Sequence, residues 1–225
     1  MTQPGENGER QAAIAERGDT GLASLFTRNR AWAEAKTVGD PGFFKRLVGQ
    51  QRPRYFWIGC SDSRVPATEI VDLDPGEMFV HRNVANLASA ADPNFLAALQ
   101  FAVDVLRVEH IIVVGHYGCG GIQSAMTQDR EDAIGAWLAP VRALHRAGGN
   151  AQETDADCLC ERNILAQVTA LAVNPLVMQA WERRASLTLH GWVYAIGDGL
   201  LQPVCAPVSG RLSDAPMVSA AAVAR

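Results

Sequence analysis

The stretch Tyr55-Phe56-Trp57-Ile58-Gly59-Cys60-Ser61-Asp62-Ser63-Arg64 limits the possible folds more than any other. It opens on apolar residues that do not alternate with polar ones, the pattern of a strand buried on both faces. Such a strand belongs at the centre of a mostly parallel sheet flanked by helices, so an α/β fold is predicted. Gly59 and Ser61 then let the chain turn, and a thiol, a carboxylate and a guanidinium follow within five residues: Cys60, Asp62 and Arg64. Open parallel sheets hold their ligands just beyond the carboxyl ends of the strands, which is where these three side chains fall.

A second stretch has the same form. The β-branched run Ile111-Ile112-Val113-Val114 leads into Gly115-His116-Tyr117-Gly118-Cys119-Gly120-Gly121. If the two strands are neighbours, Cys60, His116 and Cys119 meet at one rim. Two thiolates and an imidazole are zinc ligands, and three protein ligands leave a fourth position open, as catalytic zinc sites do. Taken singly, each of the three reads as a core residue; taken together at two strand ends, they read as a metal set. The glycines around His116 permit the turn and let backbone amides approach a substrate, with Gly120 the candidate donor.

The remaining pattern supports one domain over residues 21–205. Helices are expected over Leu22–Lys36, after an Asp40-Pro41 start, from Asp92-Pro93 to about Val108, and over Gly120–Met126. Further helices are expected over Glu131–Arg146 with a bend at Pro140, a break at Gly148-Gly149-Asn150, then Ala156–Ala172, and from Asn174-Pro175 to about Arg184. Met78–His81 and Leu187–Tyr194 read as strands, and Gly197-Asp198-Gly199 turns the latter into an antiparallel edge strand over Leu200–Val204. Strand, loop, helix and strand in succession make a right-handed crossover. Residues 1–20 read as a mobile tail and 206–225 as a poorly ordered one.

Composition narrows the function. The 225 residues carry a formal charge of −4, with no basic run interleaved with aromatics, so a nucleic-acid partner is not expected. No apolar run approaches the ~20 residues of a membrane span, and no leader pattern opens the chain. A cytoplasmic protein is expected. The five cysteines form no disulfide framework and fit a reducing compartment, where thiols bind metals or pack. Cys158, Cys160 and Cys205 read as packing residues, and His81, His110, His145 and His190 as core or surface histidines.

Several motifs occur together and in order. Cys60-Ser61-Asp62-Ser63-Arg64 and Gly115-His116-Tyr117-Gly118-Cys119-Gly120-Gly121 resemble the two zinc motifs of the β-class carbonic anhydrases. Phe79-Val80-His81-Arg82-Asn83-Val84-Ala85-Asn86, Pro75-Gly76-Glu77 and His190-Gly191-Trp192 match as well, so the resemblance spans residues 30–203. It implies reversible hydration of carbon dioxide to bicarbonate, with one zinc per chain held by Cys60, His116 and Cys119. It implies that Asp62 accepts a hydrogen bond from the attacking water, that Arg64 holds Asp62, and that Asp62 can swing in as a fourth ligand in a closed state. Trp57, Arg82 and Tyr194 resemble a bacterial subgroup's non-catalytic pocket, through which bicarbonate inhibits. The resemblance also implies self-association as a dimer or a dimer of dimers. Two other readings share these motifs: a same-fold hydrolase of another small linear substrate such as carbon disulfide, and a non-catalytic zinc protein that senses bicarbonate or binds a partner.

Overall fold

The computed structural model describes residues 21–127, 130–148, 155–183 and 185–210. The tail expected over 1–20, most of the tail expected over 206–225, the Gly149-Asn150 break and the helix end at Arg184 lie outside them. The chain divides into two compact units after Gln50, inside the span expected as one domain.

The first unit holds α1 (Leu22–Gly39) and α2 (Phe43–Val48). Asp40 was expected as the N-cap of a helix beginning at Pro41, and its role is shifted. Its N–H closes α1 on the Lys36 carbonyl, while its Oδ1 accepts from Gly42 N at 3.0 Å, so the next helix starts two residues later than expected. An ion pair to Arg46 and an edge contact between Trp32 and Phe44 hold the two helices together.

The second unit is built on a five-stranded sheet, β1 (Tyr55–Cys60), β2 (Met78–Asn83), β3 (His110–His116), β4 (Thr188–Ala195) and β5 (Leu200–Pro203), in the order β2-β1-β3-β4-β5. The first four are parallel and β5 runs antiparallel on β4, which is the predicted fold class. The helices are α3 (Pro93–Gln100), α4 (Gly120–Thr127), α5 (Ala133–Trp137), α6 (Ala139–Ala147), α7 (Ala156–Ala172) and α8 (Pro175–Glu182). No single helix among the described residues is long and apolar enough to cross a membrane.

Strand alternation sorts the core. Phe56, Ile58, Ile111, Val113, Leu189 and Val193 pack under the helices with Phe95, Leu99, Leu159 and Ile164. Trp57, Ile112, Val114 and Tyr194 form a second cluster on the other face, with Val65 and Ala67 from the loop after β1. Each large side chain so buried is worth about 1.5–3 kcal/mol relative to exposure.

Three elements depart from expectation. The helix begun at Pro93, where Asp92 caps Asn94 N at 3.0 Å, does not run straight to Val108. It widens into a π turn over Phe101–Leu106, and Arg107 at φ 56° ends it in the left-handed conformation. The Glu131–Arg146 helix is two helices, because Pro140 occupies the first turn of α6, where its missing N–H is no loss. Order continues past Cys205 as far as Val208, which exchanges two backbone hydrogen bonds with Leu189 at 2.8 and 3.0 Å.

Helix α7 lies against the sheet where the strands carry glycine. A Cβ on Gly115 would meet Ile164 Cδ1 at 2.8 Å and Cys160 Sγ at 3.0 Å, and one on Gly191 would meet Ile164 Cγ2 at 2.9 Å. Gly115→Ala therefore overpacks this contact and should cost about 1–3 kcal/mol. Urea denaturation should show a lower midpoint at unchanged slope; an unchanged midpoint would mean that the helix yields without strain.

Candidate metal centre

The parallel pairing of β1 with β3 brings the two motifs to one rim, because Gly59 lies opposite Val114. Cys60 ends β1, His116 ends β3, and Cys119 precedes α4 after a turn in which Gly118 adopts φ 67°. The ligating atoms of Cys60, His116 and Cys119 lie within 4.8 Å of one another, and all three residues are buried.

The geometry matches one tetrahedral ion. Two sulfurs about 2.3 Å from a zinc at the tetrahedral angle are about 3.8 Å apart, and Cys60 Sγ and Cys119 Sγ are separated by 3.8 Å. His116 Nδ1 donates to the Tyr117 carbonyl at 3.1 Å, which fixes the tautomer and leaves Nε2 with its lone pair. That Nε2 is buried and has no hydrogen-bond partner. A buried imidazole nitrogen with a free lone pair beside two thiols fits a metal-ligand set.

The electrostatics agree. The Cys119 S–H beside it pulls the Cys60 thiol far below its ordinary range against the opposing effect of burial, with His116 and the backbone amides of Asp62 and Ala85 adding to the pull. Cys119 moves up in turn, because the Cys60 thiolate and burial both oppose a second negative charge, while the amides of Gly121 and Ile122 favour it. Burial pushes His116 down, but the Cys60 thiolate and the Tyr117 carbonyl raise it overall. A divalent cation is the group that lets both sulfurs ionise.

Asp62 stands at the mouth of this pocket. Arg64 grips both of its oxygens, Nε to Oδ1 at 3.0 Å and Nη2 to Oδ2 at 2.7 Å, and the Arg64 backbone N–H adds a third bond to Oδ1 at 3.0 Å. These bonds hold the Asp62 carboxyl well below the usual carboxylate range. Oδ2 also lies 3.7 Å from His116 Nε2, against the about 3.4 Å expected for an oxygen and a nitrogen on one tetrahedral zinc. The carboxylate is thus held by arginine close beside the Cys60-His116-Cys119 cluster.

Residues 55–201 match the family described as carbonic anhydrase. A carbonic anhydrase of Emericella nidulans is 40% identical over 196 residues, 84% of this chain and 86% of that protein. One of Pseudomonas aeruginosa is 38% identical over 166 residues, 69% of this chain and 75% of that protein. The solved structure of a Coccomyxa β-carbonic anhydrase in complex with acetazolamide aligns with a TM-score of 0.80 at 35% identity, over 85% of this chain and 89% of that one. One of two tetrameric β-carbonic anhydrases from Sordaria macrospora aligns with a TM-score of 0.76 at 34% identity, over 83% of this chain and 98% of that one. The chain belongs to the β-class carbonic anhydrase family. It is a carbonate dehydratase by this kinship, and the Cys60-His116-Cys119 cluster supports zinc as its metal.

Within this carbonic anhydrase fold the other expected site residues are distributed unevenly. Gly120 is the first residue of α4 and has open space where a Cβ would stand. Trp57 and Tyr194 share the second buried cluster. Trp57 is fully buried, and its Nε1, directly over Gly59, has no hydrogen-bond partner. Arg82 lies opposite Gly59 on β2, yet its guanidinium turns to the metal loop, donating to the Cys60 carbonyl at 2.9 Å and to the Asp62 carbonyl at 2.5 Å. His110 Nδ1 and His190 Nε2 pair with each other at 3.2 Å, and His81 packs edge-on against Phe95.

Some residues that shape the centre were read as ordinary. Cys160, expected only to pack, donates its S–H to the His116 carbonyl at 3.3 Å. Tyr117 bonds Glu161 at 2.6 Å, tying the His116 loop to α7. Asn163 and Gln167 of α7 reach the segment after β2. The signal for these two was present as a pair of amides one turn apart among Leu159, Ile164, Val168 and Leu171.

Proposed function

We propose that Cys60, His116 and Cys119 hold zinc and that Asp62 and Arg64 serve the reversible hydration of carbon dioxide at that site. The observation that carries this reading is the 3.8 Å sulfur separation beside the open His116 Nε2, with an arginine-held carboxylate 3.7 Å away. Zinc, when bound, supplies the Lewis acidity that makes hydroxide available near neutral pH for addition to the carbon of carbon dioxide. Asp62, kept anionic by Arg64, accepts a hydrogen bond from the attacking water and points its lone pair at the substrate. The Gly120 amide, at the N-terminus of α4, is the candidate donor to a substrate oxygen as negative charge develops there. Arg64 and the metal position compete for one carboxylate, so release of Asp62 by Arg64 closes the site.

A bicarbonate pocket on the second sheet face deepens this reading. Its support is the orphaned Trp57 Nε1, a buried donor that costs stability while it has no acceptor. A planar oxyanion would satisfy it, with Tyr194 of the same cluster as a further donor, and with Arg82 as another if its guanidinium turned back from the Cys60 and Asp62 carbonyls. Self-association as a dimer or a dimer of dimers is favoured by two things: the tetrameric relative in Sordaria macrospora, and α1, which buries none of its residues and exposes Leu25 and Phe26. Light scattering should read a mass of at least twice the 24.2-kDa chain; a monomer at micromolar concentration would overturn this.

Two thiolates would neutralise a divalent charge, so an ion held by Cys60, His116 and Cys119 would be a weaker Lewis acid than one held by neutral imidazoles alone. Stopped-flow hydration should accordingly rise from pH 7 to pH 9. Asp62 is ionised throughout that window, because Arg64 holds its titration far on the acid side, so the rise is not its own. Asp62→Asn should lower hydration about 100-fold or more with zinc content unchanged. A flat rate between pH 6 and pH 9, or full activity in the variant, counts against the assignment.

Inhibition by bicarbonate is best tested at Trp57. Arg82→Ala would also release the Cys60 and Asp62 carbonyls and so disturb the metal loop, whereas Trp57→Phe removes only the ring N–H and some volume. Hydration without bicarbonate should persist in Trp57→Phe while inhibition by added bicarbonate weakens. Inhibition of equal strength in variant and wild type would remove the pocket.

A further inference from the structure

The turn that joins two residues of the cluster has little packing of its own. His116 and Cys119 are separated by Tyr117 and Gly118 alone. A Cβ on Gly118 would meet nothing within 4 Å, nor would one on Gly120, and Gly118 takes φ 67°, a conformation that glycine enters freely. Glycine also loses the most backbone freedom on ordering, so such a turn is loose unless another residue fixes it. Tyr117 carries the side chain that can do so.

Tyr117 is held at its main chain and at the far end of its ring. Its N–H donates to the Tyr194 carbonyl of β4 at 3.1 Å. Its hydroxyl donates to Glu161 Oε1 of α7 at 2.6 Å, and both residues are half-buried. Its carbonyl accepts from His116 Nδ1 at 3.1 Å. Cys160, the residue before Glu161 on α7, donates to the His116 carbonyl at 3.3 Å. Two consecutive residues of the helix thus grip two consecutive residues at the end of β3.

The His116 imidazole takes its direction from this arrangement. The residue is fully buried, and Nε2 of its two ring nitrogens has no hydrogen-bond partner. The ring is anchored through Nδ1, and the acceptor there is the carbonyl of the residue whose side chain Glu161 holds. A carbonyl accepts and never donates, so the bond keeps the proton on Nδ1 and the lone pair on Nε2. That nitrogen lies 3.7 Å from Asp62 Oδ2 at the mouth of the cluster. With its ring released, Tyr117 would keep its bond to β4 and lose its tie to α7. Its carbonyl would then be free to turn from Nδ1, beside a glycine that permits the rotation.

We propose that Glu161 and Tyr117 are positioning residues for His116: their hydrogen bond fixes Tyr117 so that its carbonyl holds the imidazole with Nε2 open toward Cys60 and Cys119. The inference rests on the reading that Cys60, His116 and Cys119 hold the metal, and adds to it two residues that stand behind the ligands. Groups that hold the second nitrogen of a ligating histidine commonly change metal affinity about 10–100-fold when removed. Here that group is a backbone carbonyl, which every residue type supplies. What the sequence controls is where the carbonyl stands, and the tie from Tyr117 to Glu161 controls it.

Full-length zinc-loaded protein tests this with two readouts: zinc affinity by chelator competition, and solvent exchange of the His116 Nδ1 proton by NMR. Glu161→Leu and Tyr117→Phe should each speed exchange of the ring proton and weaken zinc about 10–100-fold. Glu161→Gln keeps an acceptor oxygen at the same reach and should stay near wild type in both readouts. The double variant Tyr117→Phe with Glu161→Leu should be no weaker than either single one, because both changes break the same bond. A role in packing alone predicts that leucine serves as well as glutamine at 161 and that the ring proton exchanges as in the wild type. Either single variant breaks the bond, so one answers if the other does not fold. Wild-type affinity and exchange in a folded Tyr117→Phe or Glu161→Leu protein, or additive losses in the double variant, overturn the proposal while leaving the ligand assignment standing. Unchanged zinc affinity in His116→Ala overturns the ligand assignment and the proposal with it.

Discussion

Two sulfur atoms 3.8 Å apart, both shielded from water, are the constraint around which this site is arranged. As two anions they would repel by about 4 kcal/mol at the effective dielectric of a partly buried site. As two thiols they would bury weak donors with little to bond. The chain accommodates them by setting an imidazole nitrogen with a free lone pair beside them and by a spacing that matches a tetrahedral ion. A divalent cation removes the repulsion and uses the lone pair at once.

Parallel pairing makes this arrangement possible. Cys60 and His116 are distant in sequence and become neighbours because β1 and β3 run side by side in register. Helix α7 then fixes the rim from below. Ile164 packs on the glycines of β3 and β4, Cys160 holds the His116 carbonyl, and Asn163 holds the Ala85 carbonyl. These three α7 side chains, all within five residues, touch the sheet, the His116 end of the centre and the segment beside Cys60. The helix therefore couples the packing of the core to the geometry of the ligands.

What could be read in advance follows from the range of each interaction. The meeting of Cys60, His116 and Cys119 was legible because strand ends and glycine turns are local patterns, and the cluster needs only that the two ends lie side by side. The helix start at Pro93 and the span Ala156–Ala172 were legible for the same reason: Asp92 caps within two residues, and α7 is rich in Ala and Leu and contains no Gly or Pro. The π turn over Phe101–Leu106 was not, because an apolar face continues through it unchanged and only the backbone of Arg107 marks its end. The direction of Arg82 was not legible either. Its place on β2 follows from the pattern, but whether a flexible guanidinium turns toward Trp57 or toward the carbonyls of the next strand is settled by tertiary contacts. Asn163 and Gln167 could be seen as polar residues on an apolar helix face, while their targets at Ala85 and Ala88 lie more than seventy residues away.

The two arginines near Asp62 divide a task between them. Arg64 binds the carboxylate, and Arg82 binds the backbone carbonyls of Cys60 and of Asp62 itself. Residues 60–62 are therefore tied at the main chain independently of the Asp62 side chain. In the closed state proposed above, a carboxylate that left Arg64 would have its backbone still held and would reach the metal ligands by side-chain rotation and not by movement of the loop. That keeps Cys60 in place while Asp62 changes partner. On that proposal, exchange of the carboxylate between Arg64 and an ion would be a local competition of two positive charges, one held by Cys60, His116 and Cys119 and one carried on a half-exposed arginine. Anything that bonds the Arg64 guanidinium weakens its claim on Asp62, and anything that displaces Arg82 loosens the ligand loop itself. The first changes the state of the site; the second changes the site.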